Sequence, residues 1–126
     1  LQERAGLLEP DGRLSHGELT YRGGRLLLAS PSPDYRSPRS RRAHDEREQR
    51  LAQLSWVMDG ILVYVEDVEA HHARAVAAGA TILSAPSDEG VGRLYRAEDP
   101  EGHRWMFLEP LSQVESDPGA SENEAA

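Results

Sequence analysis

Cysteine is absent from the 126 residues, lysine is absent as well because all 14 basic side chains are arginine, and phenylalanine occurs once. Without a thiol the chain has no disulfide framework, no thiolate nucleophile and no Cys-type zinc site. No apolar run approaches the length needed to cross a bilayer, and no signal peptide is visible after Leu1, so a cytoplasmic location is the default expectation. A basic stripe is missing too. The 22 acids leave the chain at −8, and an acidic body repels phosphate backbones, which argues against a nucleic-acid partner.

The charge is unevenly spread. Residues 1–29 balance at zero, 30–50 carry +2, 51–110 carry −6 and 111–126 carry −4. Hydrophobic residues make up 38% of the chain, enough for one domain with a modest core. Prolines at 31, 33 and 38 remove ladder donors, so residues 30–39 read as a loop. The charged run Arg41 to Leu54 has apolar residues only at Ala43, Leu51, Ala52 and Leu54, and reads as a solvated helix packing at its end. The tail from Leu111 to Ala126 is acidic and rich in Ser, Gly and Ala, and reads as disordered.

Between these additions lies an ordered series of signals. Gly60 to Val65 is a β-branched and aromatic run of strand length. Asp67 is placed to cap a helix whose Ala-rich body runs to Ala78, and Gly79 stands where a left-handed C-terminal residue is needed. Thr81 to Ser84 and Arg93 to Ala97 read as strands. Asp99-Pro100-Glu101-Gly102-His103 is a turn that feeds the alternating strand Arg104-Trp105-Met106-Phe107.

Asp-Val-Glu-Ala at 67–70, Ala-Ala-Gly-Ala at 77–80 and Asp-Pro-Glu-Gly-His-Arg-Trp at 99–105 together resemble the second βαβββ module of the vicinal oxygen chelate superfamily. That superfamily holds glyoxalases, extradiol dioxygenases, fosfomycin-modifying enzymes and bleomycin-resistance proteins. Residues 11–30, with Asp11-Gly12-Arg13, Ser15-His16-Gly17-Glu18-Leu19 and a Gly23-Gly24 hairpin, extend the resemblance. The fold this implies is α+β, with paired βαβββ modules forming an open barrel. The expected organisation is a remainder of the first module over 1–29, lacking its first strand and helix, a linker over 30–55, the second module over 56–110 and the tail over 111–126.

In metal-dependent members, one His or Glu ligand stands on each of four strands. By the resemblance, the usual His of the second module falls at Gly60, the usual Glu of its last strand at Met106, and the equivalent Glu of the first module at Leu27 or Leu28. None of these side chains holds a divalent ion. The resemblance therefore implies a non-metal member with no cofactor, a divalent metal being the alternative.

Strand alternation assigns the cavity its chemistry. His16, Glu18 and Thr20 share one face of their strand, and Leu62 and Tyr64 point with Gly60. Arg104, Met106 and Leu108 point inward, while Trp105 and Phe107 pack under the helices. His16 and Glu18 form either an acid/base pair, with the carboxylate orienting the imidazole, or a pair of ordinary strand residues. His71 and His72, about 100° apart on a helix, do not make the i, i+4 face of a metal site and read as surface residues. His103 reads as a structural hydrogen-bonding residue. Arg93, Tyr95 and Arg104 are candidate ligand-holding groups, a fork for an anion and a ring for stacking, and Trp56 either covers a ligand or packs at an interface. The ligand-binding set is thus Trp56, Leu62, Tyr64, Arg93, Tyr95, Arg104 and Met106.

Three functions compete. The first is metal-free binding or sequestration of a small organic molecule, in a homodimer, as in bleomycin-resistance proteins. The second is an enzyme: a metal-dependent or acid/base lyase, isomerase or dioxygenase. The third is a non-catalytic assembly or regulatory module. Apolar residues at the ligand positions favour the first.

Overall fold

The computed structural model describes residues 2–54 and 59–111, with the backbone alone for 2–5. Trp56 and all of the acidic tail beyond Leu111 lie outside the described residues. The chain divides into two compact units, 1–35 and 36–126.

In the first unit, β1 (Gln2–Leu8), β2 (Leu14–Tyr21) and β3 (Gly24–Leu28) form an antiparallel sheet in the order β1-β2-β3. Asp11 closes the first turn, its carboxylate accepting from the Arg13 amide at 3.0 Å. Tyr21 pairs with Gly24 across a two-residue hairpin in which Arg22 and Gly23 both have positive φ, 50° and 83°. That mirror-image turn matches the twist of the strands it joins.

The second unit opens with two short helices. Ser37 caps α1 (Pro38–Arg42), its Oγ accepting from the Ser40 amide at 3.2 Å, and Pro38 supplies a preset φ in the first turn. Asp45 caps α2 (Glu46–Ala52) by accepting from the Arg47 amide at 2.8 Å. The expected single helix from Arg41 to Leu54 is therefore two, because Asp45 satisfies a fresh set of amides and restarts the chain. The expected loop over 30–39 stops short as well, since Pro38 begins a helix.

The remainder is β4 (Ile61–Tyr64), α3 (Val68–Ala77), β5 (Thr81–Glu89), β6 (Gly92–Glu98) and β7 (Arg104–Pro110), a βαβββ module whose sheet has the order β4-β7-β6-β5. β4 runs parallel to β7, as a strand returning after a helix can, and the other pairs are antiparallel. Asp67 caps α3 by accepting from the Ala70 amide at 3.1 Å, and Glu109 reaches over from β7 to accept from Val68 at 3.0 Å. Gly79 ends the helix at φ 87°.

One face of this sheet packs on α3 and makes the core. Val65, Val68, Tyr95 and Ala97 are buried there, with Val63, Ala75, Ile82 and Phe107 against them. Val68 is fully buried, which stabilises the fold by about 2 kcal/mol. His71 is not the surface residue expected from the sequence. Its ring lies 4.4 Å from that of Phe107, and its Nδ1 is 2.7 Å from the Tyr95 hydroxyl. Burial, helped by the Arg74 charge, holds its pKa below the ordinary 6.5. His72 lies edge-on to Tyr95 at 5.0 Å.

Candidate functional site

The opposite face of the second sheet is the candidate site, and strand register arranges it in rows. Residues paired across a ladder share a face. One row is therefore Arg104, Glu98 and Thr81; the next is Leu62, Met106, Arg96 and Ser84; the third is Tyr64, Leu108, Leu94 and Ser87. Leu62 and Tyr64 are 44% and 52% exposed, whereas Leu94 and Leu108 are buried. In its middle row the face thus has an apolar side on β4 and β7 and a polar side on β5 and β6.

The first row holds an ion cluster. Arg42 of α1 grips Glu98 with both nitrogens of its fork, Nη1 donating to Oε1 at 3.1 Å and Nη2 to Oε2 at 2.6 Å. Arg39 lies 3.7 Å and Arg104 3.6 Å from the same carboxylate, whose side chain is 6% exposed. Burial pushes the Glu98 pKa up, but the Arg42 bonds and the charges of Arg42, Arg104 and Arg39 outweigh it and hold the carboxyl below its ordinary 4.5. Arg104 also donates to the Leu54 and Ala52 carbonyls, the latter at 2.6 Å, which draws the end of α2 toward β7.

The Asp99–His103 turn completes the dock. Asp99 Oδ1 accepts from the Glu101 and His103 amides at 3.0 and 2.9 Å, and its Oδ2 from the Trp105 indole at 3.1 Å. His103 is exposed, and its part in the turn is through its backbone. The Arg39 amide donates to the Glu101 carbonyl at 3.0 Å. Gly102, at φ 93°, lets α1 approach so closely that a Cβ there would stand 2.6 Å from the Arg39 amide nitrogen. Between these helices and the starts of β4 and β7 lies a cleft of about 630 Å³, lined by Arg41, Arg42, Leu51, Gly60, His103 and Arg104 among others. That volume suits a small organic molecule.

The structure brings Leu62, Tyr64, Arg104 and Met106 to one face, and turns Arg93 and Tyr95 away from it. Tyr95 is fully buried against α3, and Arg93 is held there by Glu69, at 2.5 Å, and by Asp88, at 3.1 Å. The reading of these two as ligand-holding groups is therefore corrected by strand parity: Leu94, Arg96 and Glu98 are the residues of β6 that face the site. A signal for this was present, because the Asp99–His103 turn sets Glu98 opposite Arg104 and Arg96 opposite Met106. Arg42 was missed because its partner lies 56 residues away.

In the first unit, His16 and Glu18 do not form a dyad. Glu18 is buried and takes the Arg25 Nε at 3.2 Å, while the His16 side chain is exposed and has no hydrogen-bond or ion-pair partner among the described residues.

A family model described as the Glyoxalase/Bleomycin resistance protein/Dioxygenase superfamily matches residues 7–107. The chain belongs to this superfamily. An uncharacterized protein of Mycobacterium bovis is 31% identical over 109 residues, covering 86% of this chain and 66% of the relative, and an uncharacterized protein of Mycobacterium tuberculosis matches equally over 59% of its length. The chain thus spans about three fifths to two thirds of the curated relatives it matches. Among solved structures, TioX from Micromonospora sp. ML1 is 28% identical with a TM-score of 0.53, covering 84% of this chain and 78% of that one. Protein PA1353 from Pseudomonas aeruginosa, at 14% identity, 86% and 78% coverage and a TM-score of 0.57, shares the fold.

Two of the positions that the resemblance assigns to metal ligands carry side chains that do not coordinate a hard divalent ion. The expected positions in the second unit carry Gly60 and the thioether Met106, and the carboxylate in the adjoining row, Glu98, is already engaged by three guanidiniums. Among the described residues no group of three or more His, Asp or Glu side chains is placed to hold a metal. No described helix is long and apolar enough to cross a membrane.

Proposed function

We propose that this superfamily member binds a small organic molecule, by shape and stacking rather than through a metal, on the open face of its second unit and in the adjoining cleft. The observation that carries the reading is the contiguous patch of Leu62, Tyr64 and Met106. These side chains lie side by side on two paired strands, Leu62 and Tyr64 substantially exposed, and Met106 stands where the resemblance puts a coordinating group in metal-dependent relatives. A homodimer suits the same reading, because β4 ends its sheet and its outer edge has no strand partner among the described residues.

The test is a thermal-shift screen of chelator-treated protein against planar aromatic compounds. Binding to the folded state raises Tm, and the shift should persist in chelator and shrink in Tyr64→Ala and Leu62→Ser. A shift that appears only when a divalent ion is restored would overturn the reading.

A further inference from the structure

We propose that Arg96 anchors an anionic group of the ligand, so that the open face takes a flat, apolar organic acid. This rests on the binding reading above and names the chemical class it selects.

Arg96 stands in the middle row, between Met106 on β7 and Ser84 on β5. Its side chain is 15% exposed, and its Nε is buried with no hydrogen-bond partner. Its other contacts are long: Nη1 to Glu89 Oε2 at 3.2 Å and to Ser84 Oγ at 3.4 Å, and Nη2 to Glu89 Oε1 at 3.4 Å. The contrast with Arg42, which holds buried Glu98 at 2.6 Å, is direct. Glu89 is 36% exposed, so water competes for it. A guanidinium carries five donors in a fixed fork, and a buried donor left unmade is costly. Arg96 is therefore a cation on the face of the site whose terminal donors are held only by long bonds.

Charge on the face points the same way. With the adjoining cleft included, Arg39, Arg41, Arg42, Arg96 and Arg104 stand against Glu48, Asp59, Glu89 and Glu98, a local excess of one positive charge in a chain of net −8. Low-dielectric walls focus such a field toward an incoming anion.

Geometry sets the ligand's body. From Arg96 on β6, across Met106 on β7, to Leu62 on β4 is two strand spacings, about 10 Å, the length of a bicyclic aromatic acid. The carboxylate would meet Arg96 while the rings lie over Met106 and reach Leu62 and Tyr64. Met106, the cross-strand neighbour of Arg96, is unbranched and adapts to such a guest.

The experiment is titration calorimetry with naphthoate and its uncharged amide, naphthamide, on wild type, Arg96→Gln and Glu89→Gln. Wild type should bind naphthoate at least about tenfold more tightly than naphthamide, the margin a charge-assisted hydrogen bond supplies. Arg96→Gln should erase the difference, because naphthoate loses a charge-assisted bond and naphthamide at most a weaker neutral one. Glu89→Gln, which removes the competing carboxylate and leaves Arg96 in place, should tighten naphthoate severalfold and naphthamide not at all. Equal affinity of the two probes for wild type overturns this inference and leaves the binding reading standing. If neither probe binds, both fall.

Discussion

Glu98, which is not among the candidates read from the sequence, is a structural centre of the second unit. Three arginines converge on it, two of them from α1. Removing one member of a buried ion cluster leaves the others uncompensated and costs about 3 kcal/mol, so Glu98→Gln should lower Tm in a denaturation series more than Arg39→Gln, whose side chain is 57% exposed. The pH dependence carries a sign that can be worked out. Both His71 and Glu98 have folded pKa values below their ordinary 6.5 and 4.5, so each binds protons more readily when unfolded and stability is lost as pH falls. The loss should come in two stages, below 6.5 from His71 and below 4.5 from Glu98. Stability measured against pH should lose the first stage in His71→Phe and the second in Glu98→Gln. Of these residues the sequence disclosed little. Alternation placed Leu62, Tyr64, Arg104 and Met106 correctly on one face, because β4 and β7 are regular strands with clear periodicity. Arg93 and Tyr95 were put forward on side-chain chemistry alone, because the five residues Arg93 to Ala97 read equally well in either parity until the turn to β7 is used.

Among the elements, α3 was fully legible and α1 was not. Asp67, an Ala-rich body and Gly79 are local signals, and each acts within one turn of the helix. Asp67→Ala should cost about 1 kcal/mol in chemical denaturation, less than a core deletion, because Glu109 still accepts from Val68. By contrast α1 is five residues long, too short to persist by its own propensity. What holds it is distant: Glu98, the Glu101 carbonyl and the space left by Gly102. Gly102→Ala combines a φ of 93° with a backbone clash at 2.6 Å, and should cost about 2 kcal/mol while releasing α1. Hydrogen exchange at the Arg39 and Arg41 amides checks it, since protection should fall there and persist in α3. β1 was expected only from the order of strands in the module. Its Gln-Glu-Arg-Ala start has no alternation, and its pairing with β2 carries register shifts between Glu3 and Ala5 and between Leu7 and Leu8.

At the scale of the whole molecule, the superfamily assignment was legible because it depends on the order of elements, while the ligand was not, because it depends on which side chains four strands bring into one row. The two sheets share no strand. The topology also has a consequence for synthesis on the ribosome. The β1–β3 meander pairs only neighbouring strands, so all its ladders can close once Leu28 has emerged. β4 cannot close its ladder until Trp105 to Leu108 have been translated. For more than forty codons Ile61 to Tyr64 remains a nascent apolar segment without its mate, the interval in which a chaperone would have most to protect.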